Sequence, residues 1–167
     1  MTGLHPSTRP EHDGAWLRTL RRYIAFVVPA HLLWEFAQLP LYTIWRDGTA
    51  GEILFAVVHC TGGDALIATT ALVTALLLAG TGWPISRDCY RRVAVIAIVI
   101  GVGYTAFSEW LNTAVREAWA YSDLMPVIPL VEAGLSPVLQ WVLIPLAGFW
   151  WARRPIAGVE QRIEAHA

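Results

Sequence analysis

Four apolar segments, separated by shorter polar ones, set the pattern of this chain. The apolar segments cover residues 23–44, 53–80, 93–115 and 137–151. A helix of about 20 apolar residues is long enough to cross the ~30 Å hydrocarbon core of a bilayer. The pattern therefore predicts an all-α integral membrane protein in which residues 1–167 form one membrane domain, a bundle of four transmembrane helices.

The segments between the spans complete this prediction. Residues 1–16 are polar and lack the apolar region of a signal peptide, which indicates a flexible tail, and residues 154–167 indicate a second polar tail. Residues 116–136 form a long loop rich in aromatic residues and proline, which we expect to cap the bundle on the outer side. Ser136-Pro137 has the pattern of a helix N-cap followed by proline at the first helical position. Gly62-Gly63 predicts a kink or break in the second span.

Composition agrees with a membrane protein. The chain is 56% hydrophobic and 15% charged, whereas soluble domains carry about 25% charged residues. A net charge of −1 gives no sign of nucleic-acid binding. The twelve basic residues are all arginine, which is typical of a GC-rich genome and indicates a bacterial source.

The distribution of arginine predicts the orientation. The N-terminal tail, the second loop and the C-terminal tail lie on one side of a four-span protein, and the first and third loops on the other. The first side carries ten arginines: Arg9, Arg18, Arg21, Arg22, Arg87, Arg91, Arg92, Arg153, Arg154 and Arg162. The second carries Arg46 and Arg116. The positive-inside rule then places both termini in the cytoplasm. With a bacterial source, we expect the protein in the bacterial cytoplasmic (inner) membrane.

Three polar residues stand inside the first span. His31, Glu35 and Gln38 are spaced i, i+4 and i+7, so all three lie on one face of a helix. A charge near the bilayer centre costs from ~2.5 to more than ~10 kcal/mol, depending on the scale, so such residues normally face a partner or a water-filled cavity. This face is expected to point towards the other helices.

Counting residues inward from the span ends places further polar groups at similar depths. The first predicted layer contains His31, Asp64 and, one turn further out, Glu35. The second lies in the outer half of the bilayer and contains Gln38, His59, Glu109 and Gln140. In this second layer His59 and Glu109 are predicted to form a pair.

Two kinds of chemistry fit these residue types. Histidine and carboxylate side chains bind Zn²⁺, Mn²⁺ or Fe²⁺, and the candidate ligands are His31, Glu35, His59, Asp64 and Glu109. The same groups without metal could act as a general acid and base, with His59, Glu109 and Glu35 as catalytic candidates. Candidate substrate-binding residues are Trp34, Gln38, Ser108, Trp110, Asn112 and Gln140. Either chemistry suits a membrane-embedded enzyme that acts on a lipophilic substrate.

Two alternatives remain open at this stage. Buried polar pairs can simply fix helix packing, as in a structural subunit of a larger complex. A broken span beside Asp64 would instead suit a proton, cation or small-solute transporter. Because four spans are few for a transporter, that function would require a homodimer.

The spacing of His31 and Glu35, H-x-x-x-E in an early membrane helix, resembles the His/Glu arrangement of the emopamil-binding-protein sterol isomerases. Those enzymes bind lipophilic amines and shift a double bond. The resemblance covers these two residues, and no function is transferred from it.

Overall fold

The computed structural model describes the backbone of residues 9–154 and the side chains of residues 14–154. Five α-helices follow one another: α1 (Arg9–Gln38), α2 (Ile44–Asp47), α3 (Ala50–Ala79), α4 (Arg87–Trp110) and α5 (Leu135–Ala152). A 3₁₀ turn, Leu39–Leu41, continues α1, and a π-helical turn, Leu111–Val115, continues α4. Two short antiparallel strands, β1 (Val127–Ile128) and β2 (Ala133–Gly134), precede α5.

The four long helices form a closed bundle. Around the ring, α1 packs against α3, α3 against α4, α4 against α5, and α5 against α1. Apolar side chains of all four helices meet in the core, including Val27, Leu72, Val93 and Ile144. Among the described residues, four helical stretches are long and apolar enough to cross a membrane: Gly14–Leu41, Ala50–Ala79, Arg87–Val115 and Leu135–Ala152. The four predicted long apolar helices are thus present, with different ends.

The end of the bundle where α1 stops is covered by the loop that joins α4 to α5. Tyr121 forms an antiparallel bridge with Tyr42. The amide of Ser122 donates to the carbonyl oxygen of Leu41 at 2.9 Å, and the amide of Thr43 donates to that of Ala120 at 3.0 Å. These backbone bonds hold the predicted capping loop against the chain that follows α1.

Local predictions at the helix ends needed correction. Residues 9–16, predicted as part of a tail, belong to α1, whereas the rest of that tail and residues 155–167 lie outside the described residues. The helix α3 runs through Gly62 and Gly63 without a break. Inside an apolar segment an unmade backbone hydrogen bond is costly, which favours a continuous helix even at two glycines.

The start of α5 also differs from the prediction. Gly134, not Ser136, is the N-cap residue, and no side chain caps this helix. The amide of Leu135 donates to the carbonyl oxygen of Pro126 at 2.7 Å, so backbone from the loop satisfies the first turn. The fourth helix is therefore longer than the predicted span, and the Ser136 hydroxyl is left for another role.

Candidate functional site

Side chains from three helices meet around one amide group. The Gln140 side chain of α5 is 1% exposed, and its Nε2 atom lies 2.9 Å from Oδ2 of Asp64 in α3. The same atom lies 3.0 Å from Oε1 of Glu35 and 2.8 Å from Nδ1 of His31, both in α1. His31 is fully buried, and its Nδ1 also lies 3.3 Å from Asp64 Oδ2. We call these four residues the amide-centred network.

Further hydrogen bonds from Gln38, Ser136 and Trp34 hold this network in place. Gln38 Nε2 donates to Glu35 Oε1 at 2.9 Å, and its amide oxygen accepts from the Ser136 hydroxyl at 2.9 Å. That hydroxyl in turn accepts from the indole Nε1 of Trp34 at 3.1 Å. These bonds join the end of α1 to the first turn of α5. Glu35 Oε1 itself accepts from two amide groups, those of Gln38 and Gln140.

Hydrogen counting shows that the network has more than one arrangement. The Gln140 nitrogen has two hydrogens but faces three acceptor atoms, so it serves at most two of them at once. If His31 Nδ1 carries a hydrogen, it can donate to Asp64. If it does not, the hydrogen is on Nε2, which has no partner among the described residues. The position of one proton therefore changes how the whole network is bonded.

The indole of Trp141 supports the network from behind. It is 2% exposed, and its ring centroid lies 4.9 Å from that of His31. Gly101 of α4 makes room for it, because a Cβ atom at that position would lie 2.2 Å from the Trp141 ring. A glycine on α4 thus allows the close helix approach that places the indole on the histidine.

A cavity of about 630 Å³ opens beside the network at the loop-covered end of the bundle. We call it the acidic cavity. Glu35 and Gln38 line it from α1, Phe55, His59 and Cys60 from α3, and Tyr42 and Trp119 from the loops. Phe55 is 68% exposed and His59 is also exposed on α3. The cavity therefore opens on the flank of the bundle and has Glu35 in its wall.

Carboxylates dominate the ionisable lining of the acidic cavity. Its ionisable lining includes the carboxylates Glu35, Asp47 and Glu52, and no arginine of the described part of the chain lines it. The remaining wall is mostly aromatic and aliphatic. These three carboxylates would repel a negatively charged ligand, whereas they would not repel a neutral or positively charged one.

Glu109 of α4 forms a separate cluster close to the cavity. The Tyr121 hydroxyl donates a short hydrogen bond to Glu109 Oε2, and the Tyr42 hydroxyl lies 3.3 Å from the same oxygen. The Tyr121 hydroxyl also accepts from the backbone N–H of Gly134 at 2.8 Å. One tyrosine thus joins α4, the capping loop and the N-cap of α5.

Both tyrosines lie in loops outside the four long helices, and burial raises the pKa of each phenol above its usual range. The Glu109 carboxylate raises both pKa values further, because a phenolate formed beside it would place two negative charges close together. The phenols therefore stay protonated at neutral pH and act as donors to Glu109.

The predicted pair of His59 and Glu109 is not present. Among the described residues His59 forms no hydrogen bond or ion pair, and its ring stacks on Phe55 at 5.4 Å. Positions 59 and 64 are about 140° apart around a helix, so His59 faces outward when Asp64 faces His31. His59 and Glu35 instead line the same cavity.

The candidate substrate-binding residues divide into three groups. Gln38 lines the cavity, while Trp34 and Gln140 stand behind it. Asn112 Nδ2 donates to the carbonyl oxygen of Ser108 at 2.8 Å, so these two residues bond to each other. Trp110 is 42% exposed and lines a different groove, with Phe107 and the turn between β1 and β2. Ser108, Trp110 and Asn112 are therefore not brought to the acidic cavity.

The five candidate metal ligands are not assembled into one site. No three His, Cys, Asp or Glu side chains in residues 14–154 are placed to hold a metal ion. His31, Glu35 and Asp64 surround the Gln140 nitrogen, a hydrogen-bond donor that occupies the centre a cation would need. As arranged here, the three side chains are therefore hydrogen-bond acceptors around one amide rather than ligands of a metal ion.

Several residues of the site were missed by the sequence analysis. They are Tyr42, Tyr121 and Ser136, which bond to the buried polar groups, and Phe55 and Cys60 in the cavity wall. Cys60 could have been found, because it lies four residues before Asp64 and so on the same face of α3. The two tyrosines lie in loops, where no periodicity indicates direction.

No protein-family model matches the chain, and neither a curated protein nor a solved structure matches it.

Proposed function

We propose that the chain is a multi-pass protein of the bacterial cytoplasmic membrane, with both termini in the cytoplasm, that acts as an acid/base enzyme on a lipophilic substrate. The membrane location is supported by the four long apolar helices and by the large apolar side chains exposed on them, such as Leu66 and Leu77. The orientation is supported by the arginine asymmetry, since Arg46 and Arg116 are the two at the loop-covered end.

The observation that carries the proposal is the position of Glu35. Its side chain lies in the wall of a cavity that opens on the apolar flank of the bundle. Its Oε1 atom accepts hydrogen bonds from Gln38 and Gln140, which connect it to the amide-centred network. Few arrangements place an ionisable group between a lipid-accessible cavity and interior groups that can hold a proton. A structural role alone would not need the cavity.

In the proposed reaction Glu35 transfers a proton to or from the substrate. As a carboxylate it is stabilised by the amide hydrogens of Gln38 and Gln140, which are already aimed at Oε1. Asp64 and His31 stand behind Gln140, and a proton moved between them would change which acceptors the Gln140 amide serves, without changing the net charge of the pair. His59, across the same cavity, is available as a second acid or base.

The cavity walls restrict the substrate. Its aromatic and aliphatic surface suits an apolar body, and its carboxylates disfavour anions, so the substrate is neutral or positively charged. Transport is less well supported than catalysis, because the helix break that it called for is absent from α3.

The test uses purified protein in vesicles made from the lipid extract of the cells that produce it. The vesicles are incubated in D₂O, and mass spectrometry follows any lipid that changes mass or gains deuterium. We expect such a change with the unaltered chain and a loss of at least 100-fold in its rate with Glu35→Gln. Asp47→Asn, which also alters a carboxylate of the cavity wall, is the matched control and should stay within a few-fold. An equal rate in Glu35→Gln would contradict the role of Glu35, and no change in any lipid would favour transport.

A further inference from the structure

A second cavity, of about 230 Å³, lies at the opposite end of the bundle. It is formed where the first part of α1, the loop before α4 and the end of α5 meet. Arg18, Arg22, Arg153 and Arg154 line it together with Tyr90 and Ile85. We call it the basic cavity. It shares no lining residue with the acidic cavity.

The charges of the basic cavity are not compensated within the described part of the chain. No aspartate or glutamate is among its lining residues. The one ion pair among the described residues is His31 with Asp64, so none of the four arginines forms one. Four like charges around a small cavity repel one another, and a bound anion would remove that cost. Arginine is also the residue best suited to bind phosphate, through paired N–H donors.

Three of the guanidinium groups are held in place. Arg22 donates to the backbone carbonyl oxygen of Arg154 and lies 4.8 Å from the centroid of the Trp151 ring. The Arg154 guanidinium lies 3.4 Å from the centroid of the Trp150 ring, and the Arg153 guanidinium lies 5.5 Å from the centroid of the Tyr90 ring. Each distance is within the range of a cation–π contact. Groups fixed in this way lose less conformational entropy when they bind a ligand.

The wall between the arginines is apolar, which distinguishes the expected ligand from a free ion. Ile85 is 58% exposed and lines the cavity beside Pro84, Ala15 and Ala152. A ligand that combines a phosphate with an apolar body would use both parts of the wall. Basic pockets between membrane helices bind lipid headgroups in this manner.

We propose that the basic cavity is a binding site for the phosphate headgroup of an anionic phospholipid. The phosphate lies among the four arginines, and the glycerol and upper acyl chain lie against Ile85 and Pro84. The site is independent of the proposed acid/base function, because it lies at the other end of the bundle and shares none of its residues.

Native mass spectrometry of the full chain in detergent tests the proposal. The probes are phosphatidylglycerol, phosphatidylcholine and inorganic phosphate. We expect one phosphatidylglycerol to be retained at least tenfold more strongly than phosphatidylcholine, and this preference to fall as salt is raised. The double variant Arg18→Gln/Arg153→Gln should lose about 10- to 30-fold in affinity for phosphatidylglycerol. Arg91→Gln/Arg92→Gln, at the same end but outside the cavity, should lose less than twofold.

Three outcomes would overturn the proposal. Equal retention of the two lipids by the unaltered chain would do so whether or not the variants fold. An equal loss in both double variants would indicate a diffuse effect of charge at the membrane surface. Displacement of the lipid by millimolar inorganic phosphate would assign the cavity to a free phosphate instead.

Discussion

The two buried carboxylate clusters, around Glu35 and around Glu109, differ in what supplies their hydrogen-bond donors. Glu35 is served by Gln38 and Gln140, which project from long helices. Glu109 is served by Tyr42 and Tyr121, which project from loops. A helix fixes the direction of its side chains to within a rotamer, whereas a loop must itself be held by backbone bonds. The first cluster is therefore part of the bundle, and the second fastens the capping loop onto it.

This difference implies different consequences of mutation. Damage to the helix-borne network should lower the stability of the whole bundle, because three helices meet there. Damage to the loop-borne cluster should release the capping loop and disturb the acidic cavity, whose wall includes Tyr42 and Trp119. Four substitutions separate these effects, each measured as a change in the free energy of unfolding in detergent.

Gln140→Leu should have the largest effect. It removes the donor shared by His31, Glu35 and Asp64 and leaves buried polar groups without a partner. We expect a loss of about 3 to 5 kcal/mol, as when one member of a buried ion pair is removed. Leu139→Met, one residue away on the more exposed side of α5, is the control and should cost less than about 1 kcal/mol. Equal effects would mean that the amide does not bind the network.

Gly101→Ala should cost about 3 kcal/mol, near the top of the range for overpacking, because the new methyl group would overlap the buried Trp141 ring. Gly103→Ala, two residues further along α4, faces open space. Since alanine favours a helix more than glycine does, the control should be neutral or more stable by up to about 1 kcal/mol. A tolerated Gly101→Ala would show that Trp141 is not packed against α4 beside His31.

Tyr121→Phe should cost about 2 kcal/mol, because the Glu109 carboxyl group loses a donor and the amide of Gly134 loses its acceptor. Protease cleavage within residues 116–134 should also become faster, since the capping loop is released. Tyr104→Phe is the control, because that side chain is 51% exposed and forms no hydrogen bond among the described residues. Unchanged cleavage in Tyr121→Phe would contradict the fastening role.

Ser136→Ala should have the smallest effect, about 1 kcal/mol, from the hydrogen bonds with Trp34 and Gln38. Because Ser136 does not cap α5, amide hydrogen exchange at the start of that helix should stay as it is. Faster exchange confined to the first turn of α5 would restore the capping role that the sequence suggested.

The sequence was informative where helix geometry applies. The apolar segments predicted the four long helices, and the spacing of His31, Glu35 and Gln38 predicted one inward face. Counting residues for depth also placed His31 near Asp64, and these two side chains are in contact. In each case the regular geometry of an α-helix is enough: its period gives the face on which a side chain lies, and its rise per residue gives the depth.

Other parts of the site could not be read from a periodic pattern. Depth alone does not give direction. A pair of His59 and Glu109 fits the depth count, but Asp64 on the same helix faces His31 and so turns His59 outward. The donors to Glu109 come from Tyr42 and Tyr121, whose positions depend on how two loops bond to each other. The acidic cavity likewise depends on the placement of α2 and the capping loop.

The most direct test of the account is which carboxyl groups react with a lipid-soluble reagent. Dicyclohexylcarbodiimide reaches protonated carboxyl groups from the bilayer, and peptide mass spectrometry locates the adduct. We expect Glu35 to be modified, because the acidic cavity opens to the apolar flank, whereas a water-soluble carbodiimide should modify the exposed Asp47 and Glu52 instead. Modification of Asp47 and Glu52 by the lipid-soluble reagent, with Glu35 left unmodified, would contradict the claim that Glu35 exchanges protons with a lipophilic substrate.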